Sequence, residues 1–275
     1  MADIVAEDRR PYRPSPLLLG SLALHAAGIA AVAADPRRWR TVAGLLVADH
    51  LALAAVSLWP RSQALGPNLL RLPAAAARPG EVALTFDDGP DPRVTPRVLD
   101  LLDDAGMKAT FFVIGRHARA HRDLTAEIAR RGHRVENHTD THPHLFAWYP
   151  VPLLRREVEG AQGAIEAATG RRPRLFRAPA GLRNPLLEWV LHRAGLHLVT
   201  WTRRGFDAVD PSPAAIARRL LNGLASGDIL LLHDGRASGQ PGGNPVVLEA
   251  LPRVLDALAA RGLRSVVISP PQGSP

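Results

Sequence analysis

From residue 81 onward, short β-branched or aromatic runs alternate with longer amphipathic segments, and this alternation restricts the folds open to the chain more than any single motif does. The strand-like runs fall at about 81–86, 109–114, 133–137, 174–177, 196–201, 228–233 and 263–268. Helical periodicity fills 94–105, 118–131, 153–168, 185–194, 213–224 and 246–260, with Gly106, Gly132, Gly170, Gly195, Gly227 and Gly262 as stop signals just past the ends. Strands separated by helices pair in parallel with right-handed crossovers. An α/β fold built as a (β/α) barrel of seven strands, closed or incomplete, is the economical arrangement. A doubly wound open sheet is the alternative, because closure leaves no mark on local sequence.

The first fifth of the chain is different in kind. Residues 17–34 form an apolar run without formal charge, Asp35-Pro36-Arg37-Arg38-Trp39-Arg40 interrupts it, and 42–59 is apolar again except for Asp49 and His50. Two membrane spans joined by a tight loop fit this pattern, and a soluble Ala-rich helical hairpin is the alternative. Residues 61–80 are rich in Pro and Ala without periodicity and are expected to be a linker. The expected organisation is therefore a hairpin over 1–60, a linker over 61–80, a barrel over 81–269 and a tail over 270–275.

Two spans return the chain to its starting side, so the barrel and the N-terminus share a compartment. Arg9, Arg10, Arg13, Arg61, Arg71 and Arg78 lie on that side, against Arg37, Arg38 and Arg40 in the connecting loop, which is the denser of the two in charge. The expected location is a membrane of the bacterial inner-membrane type, with the barrel on either its cytoplasmic or its periplasmic face.

Composition narrows the chemistry. The chain has no Cys, so thiolate metal sites, disulfides and cysteine nucleophiles are excluded, and any metal must be held by His and carboxylate. The net charge is +8, but Lys108 is the only lysine and the arginines are scattered. No basic stretch interleaved with aromatics points to nucleic acid, while attraction to anionic lipid headgroups is compatible with the charge.

The polar residues of interest cluster where strand-like runs end, which is where βα loops gather chemistry in such barrels. Asp87 and Asp88 close the first run in Thr85-Phe86-Asp87-Asp88-Gly89-Pro90. Adjacent carboxylates repel, so one is driven toward its neutral form unless a cation holds it ionised. In His138-Thr139-Asp140-Thr141-His142 the two imidazoles stand at i and i+4, which in a helical turn puts them on one face able to grip one ion. Arg177 ends the fourth run, Asp207 follows the fifth and His233 ends the sixth.

These segments, with Arg177-Ala178-Pro179-Ala180-Gly181, Trp201 through Asp207 and Leu232-His233, resemble in order the five motifs of the NodB-homology polysaccharide deacetylases, carbohydrate esterase family 4. The resemblance covers about 81–269. It implies a deformed (β/α)7 barrel that hydrolyses N-acetyl groups from amino sugars of a glycan. Asp88, His138 and His142 would be ligands of one divalent ion, Zn2+ first, with Co2+, Ni2+ or Mn2+ as alternatives. Asp87 would be the base, and His233 the acid that protonates the departing amine. Arg177 would keep Asp87 ionised, and Asp207 would orient His233 or pair with Arg177 instead. Pro179, Ala180 and Leu232 would meet substrate: the Ala180 N–H at the oxyanion and Leu232 against the acetyl methyl, unless Leu232 is an ordinary core residue.

Departures from the family pattern bear on the acceptor. Ala180 stands where many members carry Tyr, Arg204 where an acid is frequent, and Ala208 where an aromatic is frequent. A smaller, more charged or lipid-linked amino sugar is thus the alternative to a long neutral polymer, and a formyl group the alternative to acetyl. His133 and His144 are expected to be solvated. Rival functions are an iron(II) oxygenase, which usually has an all-β fold, a glycan-binding module without catalysis, which would be expected to lack Asp87 or His233, and a membrane scaffold.

Overall fold

A computed structural model describes residues 12–73, 78–235 and 244–271; the first eleven residues, with Arg9 and Arg10, and most of the expected tail lie outside them. Two helices come first, α1 (Pro16–Ala34) and α2 (Trp39–Ser57). Ser15 starts α1 by accepting the Leu18 N–H at 3.3 Å, with Pro16 in the first turn. The helices meet where Gly28 lies against Val42, so closely that a Cβ at Gly28 would come within 2.7 Å of Val42 Cγ1. Across the same seam the Ser21 hydroxyl donates to Asp49 at 2.7 Å. Only Ser21 and Gly28 are buried in α1 and none in α2, so the apolar side chains face outward.

The remainder is a curled parallel sheet wrapped by helices. In chain order it runs β1 (Glu81–Asp87), α3 (Thr95–Asp104), β2 (Ala109–Val113), α4 (Gly115–Ala120), α5 (Arg122–Arg130), β3 (Arg134–Asn137), α6 (Val151–Thr169), β4 (Leu175–Phe176), α7 (Leu187–Ala194), β5 (His197–Leu198), β6 (Arg203–Arg204), α8 (Pro213–Leu221), β7 (Ile229–His233), α9 (Val247–Ala260) and β8 (Arg264–Ser265). The strand order is β5-β4-β3-β2-β1-β7-β6, with β8 beside the start of β1, and the pairings are parallel. This is the expected deformed barrel. The expected strand at 196–201 is shortened to β5, β6 is an additional short strand beyond it, and the expected helix at 118–131 is broken at His121 into α4 and α5. Gly170 and Gly195 end α6 and α7 in the left-handed conformation, as stop signals should.

The central strands β1, β2 and β7 are buried on both faces. Val82, Leu84 and Phe86 of β1 join Leu230 and Leu232 of β7 and the inner faces of α3, α8 and α9 in one core, while Ala83, Phe112, Leu175, Ile229 and Leu231 form another with Val199 and Trp201. Period-two alternation therefore sends Thr85 and Asp87 to the same side as Ala83.

The segment expected to be a linker is part of the barrel over its described residues. Leu69 bridges Val199 beyond β5, and Arg71 bridges Asp228 ahead of β7, so this stretch fills the gap between the two sides of the curled sheet. Leu65 and Leu72 are buried, and Asn68 donates to the Pro60 and Ser62 carbonyls at 2.9 and 3.1 Å. A second difference concerns His133, expected in solvent. It is 4 % exposed, accepts the Ala109 N–H at Nδ1 (3.2 Å) and packs edge-on to Phe111.

Candidate active site

The C-terminal ends of β1, β3, β4 and β7 converge on one rim, and parallel register sets Asp87 directly beside His233. Arg177, fully buried at the end of β4, reaches across the barrel interior. Its Nη1 donates to Asp87 Oδ1 at 2.7 Å and to Thr85 Oγ1 at 2.8 Å, its Nη2 to the Thr200 carbonyl at 2.9 Å, and its guanidinium lies 4.0 Å from the Phe112 ring centroid. Burial lowers the Arg177 pKa and the Asp87 charge offsets part of that, as for a cation whose water has been replaced by fixed acceptors.

Asp88 faces two imidazoles. Its Oδ1 lies 3.3 Å from His138 Nε2 and 3.2 Å from His142 Nε2, and His138 Nε2 is 3.8 Å from Asp87 Oδ2. His138 Nδ1 donates to the Arg177 carbonyl at 2.8 Å. A carbonyl only accepts, so that bond fixes the proton on Nδ1 and turns Nε2 toward Asp88. Burial alone would raise the Asp88 pKa. The close His138 contact and the charges of His138, His142 and His233 outweigh it and hold the carboxyl well below its usual range. The His138 pKa is raised despite burial, by Asp87 and Asp88.

The three side chains bring ligand atoms within 4.8 Å of one another. Asp88 Oδ1 is buried and makes no well-aligned hydrogen bond. An anionic oxygen and two imidazole nitrogens turned on one point, with no thiolate, are the donor set that a borderline divalent cation such as Zn2+ takes, and the residues fit the group. A second trio, His25, Asp49 and His50, lies between α1 and α2 and is more exposed.

The two imidazoles are not on a helical turn as expected. Residues 138–142 are a loop in which Thr139 (φ 66°) and His142 (φ 55°) are left-handed. The loop is held from below: Glu157 of α6 accepts the N–H groups of Asp140 (3.0 Å) and Thr141 (2.8 Å) and the Thr141 hydroxyl (2.7 Å), while Asn137 Oδ1 accepts the Thr139 N–H at 2.9 Å. Among the described residues, the non-glycine positions with positive φ are Asp88, Thr139, His142, Ala180 and Phe206, and each lies in a loop of this rim. Backbone strain of this kind persists where surrounding structure enforces it, and it gathers at functional sites.

Asp207 pairs with His233. Its Oδ1 is 2.9 Å from His233 Nδ1, and its Oδ2 accepts the His233 backbone N–H at 2.7 Å. Burial works to lower the His233 pKa, but the Asp207 bond and charge, with Asp87 and Asp88, raise it.

Ala180 is exposed at the rim with φ 54°, and Pro179 beside it is buried. Leu232 is not in an acyl pocket. The pleat that points His233 into the barrel points Leu232 outward, where it packs near Ile216 and Leu220 of α8 and is 0 % exposed. Sequence reasoning missed Glu157, Asn137, Asp234 and His117. Asp234 is pushed up to about 7 by burial and accepts the Thr95 hydroxyl at 2.5 Å, and His117 Nδ1 lies 2.9 Å from the Asp88 carbonyl. Glu157 had a visible signal, since it interrupts the apolar stripe Leu154, Val158, Ala161, Ile165 of an amphipathic helix.

Residues 74–199 match the family model described as polysaccharide deacetylase. A chitooligosaccharide deacetylase of Sinorhizobium fredii is 35 % identical over 209 residues, covering 74 % of this chain and 96 % of that protein. A peptidoglycan-N-acetylglucosamine deacetylase of Bacillus cereus is 35 % identical over 191 residues, covering 68 % of this chain and 86 % of that one. Among solved structures, a family 4 carbohydrate esterase from Streptomyces lividans in complex with acetate superposes with a TM-score of 0.64 at 35 % identity, covering 72 % of this chain and 97 % of that one. A relative matched over nearly its whole length and a solved member with the same curled barrel lead to one assignment: the chain belongs to the polysaccharide deacetylases of carbohydrate esterase family 4.

Proposed function

We propose that the barrel is a metal-dependent hydrolase removing N-acetyl groups from amino sugars of a glycan, the substrate class that the names of its chitooligosaccharide and peptidoglycan relatives describe. The observation that carries this reading is the position of Asp87, within reach of the Asp88–His138–His142 trio and clamped by Arg177.

Asp88, His138 and His142 would hold the ion, and Zn2+ suits the donor set best. When bound, such an ion supplies a Lewis acid that acidifies water and polarises the acyl oxygen. Asp87 accepts the proton of the attacking water, and Arg177 keeps that carboxylate in place with a bond its planar fork directs. The Ala180 N–H, presented by a left-handed residue at the rim, donates to the developing oxyanion, with Pro179 fixing the turn beside it. His233 carries the proton that the departing amine needs, and the Asp207 bond and charge, which raise its pKa against burial, favour its holding that proton. Asp207 orients the ring and fixes its tautomer.

The helical hairpin within residues 1–60 anchors in a membrane a barrel that takes in the bridging stretch around Leu69 and Arg71 as well as the strands from residue 81 onward. The two helical stretches, Pro16–Ala34 and Pro36–Ser57, have mean hydropathies of 2.0 and 1.3 and are 11 % and 0 % buried. The 19 residues of α2 rise about 28 Å, close to the hydrocarbon thickness, and exposed Trp39 and Trp59 flank them as interfacial tryptophans do. The test is acetate release from N-acetylated chitooligosaccharide and from peptidoglycan by the full chain in detergent, before and after chelation. Release that chelation leaves untouched, or no release from either glycan, refutes the reading.

A further inference from the structure

The end of α2 is seated on the catalytic rim itself. The Arg183 N–H donates to the Ser57 carbonyl at 3.3 Å, Pro60 packs against Gly181, and Arg61 Nη1 lies 3.5 Å from the Thr202 carbonyl. Arg183 and Gly181 belong to the loop after β4 that carries Ala180. At the other end of the hairpin, Tyr12 packs at a tilt against His192 of α7, with ring centroids 5.6 Å apart. The end of α2 therefore docks beside the site opening, while the start of the hairpin packs along α7.

Two paths of contact run from this junction to exposed apolar side chains. Asn184, next to Arg183, donates to the Tyr149 carbonyl at 3.0 Å, and the same β3 loop exposes Leu145 (64 %) and Trp148 (77 %). On the other flank, the Trp201 ring lies against Gly181 and carries the Arg204 guanidinium at 5.4 Å. Arg204 in turn sits 4.8 Å from the Phe206 ring, and Phe206 and Val209 are 44 % and 76 % exposed. Arg204 has no acidic partner among the described residues. Large apolar side chains beside a half-buried guanidinium that no carboxylate neutralises, next to a span end, make a surface suited to the headgroup region of an anionic bilayer.

We propose that the catalytic rim rests on the bilayer, with Leu145, Trp148, Phe206 and Val209 entering the headgroup region. The site then opens onto the membrane surface and favours amino sugars held there over glycans free in solution. This rests on reading the hairpin as a membrane anchor and the barrel as a deacetylase.

Because the chain has no cysteine, single labels are clean. Trp148→Cys, Leu45→Cys in α2 and Arg171→Cys at the opposite end of the barrel would each carry an environment-sensitive fluorophore. The full chain would be placed in phosphatidylethanolamine–phosphatidylglycerol vesicles containing headgroup-nitroxide lipid. Quenching at positions 148 and 45 but not at 171 is expected. Quenching at 45 alone overturns the rim proposal and leaves the anchor standing, whereas no quenching at any site overturns both. Equal quenching at 148 and 171 also overturns it.

A second arm compares Leu145→Ser/Trp148→Ser with the parent chain. Loss of these side chains should lower acetate release from an N-acetylated amino sugar displayed on vesicle lipid by about ten-fold, while release from free chitooligosaccharide changes by less than about two-fold. Equal loss on both overturns the proposal. If neither substrate yields acetate, the deacetylase reading fails, and the quenching result still decides where the rim lies.

Discussion

Asp207 holds His233 by two bonds from one carboxylate, Oδ1 to the ring Nδ1 at 2.9 Å and Oδ2 to the backbone N–H at 2.7 Å. The ring and the strand end that carries it are thus fixed by the same group, and Nε2 is the nitrogen left to face the rim.

A pH dependence follows. In the proposed mechanism His233 acts in its protonated form, and its pKa is raised above the ordinary 6.5, so kcat/KM should fall as pH rises through that elevated value and not at the ordinary one. Asp207→Asn removes the leading cause of the elevation and should move the alkaline limb to lower pH. His233→Ala should cost about 100-fold or more in kcat on an amide and far less on an activated ester, whose leaving group needs no proton. Equal losses on the two substrates would exclude His233 as the acid.

The metal trio gives a second expectation, read by elemental analysis after dialysis. Asp88→Ala, His138→Ala and His142→Ala should each lose the ion, since even the orienting partners of metal ligands are worth about 10–100-fold in affinity and a ligand no less. Asp87→Asn should retain it while losing most of kcat. Loss of metal from Asp87→Asn to the same extent would mean that the two carboxylates have exchanged roles.

The strands, most of the helices and the order of rim residues were legible in the sequence, because hydrophobic period and glycine stops are local signals. What escaped is set by contacts distant in sequence or by backbone shape. Leu69 and Arg71 close the sheet through partners more than a hundred residues away, which no window of sequence displays. The i, i+4 spacing of His138 and His142 suggested a helical turn, but the left-handed Thr139 and His142 are held by Asn137 and by the α6 residue Glu157, and no residue type announces that. Leu232 was read from its neighbour His233, although alternation along a strand places neighbours on opposite faces.

His133 yields an expectation about stability. Burial depresses its pKa to about 4, with Lys108 adding to the effect. A depressed folded value means the contribution is complete above the unfolded value near 6.5 and is lost as pH falls toward 4, because the unfolded chain takes up the proton first. The thermal midpoint in detergent should drop over that window, by the equivalent of about 3 kcal/mol, and His133→Gln should flatten the decline. A parent chain equally stable at both ends of the window would contradict the buried, neutral state of this ring.

Arg177 gives the sharpest separation of charge from geometry. Its guanidinium is fully buried and serves Asp87, Thr85 and two carbonyls at once while lying on Phe112. Arg177→Ala strands the Asp87 carboxylate and should destabilise the fold by about 3–5 kcal/mol, so lost activity in that variant would say little about catalysis. Arg177→Lys keeps the positive charge but cannot reach Asp87, Thr85 and Thr200 in one plane. It should fold, bind the metal at parental occupancy and keep KM close to the parent value, while kcat falls by about 10–100-fold because the base is no longer aimed. A Lys variant with full kcat would show that Asp87 needs only a nearby cation, and an equal rise in KM would show that Arg177 contributes to holding the sugar instead of aiming the base.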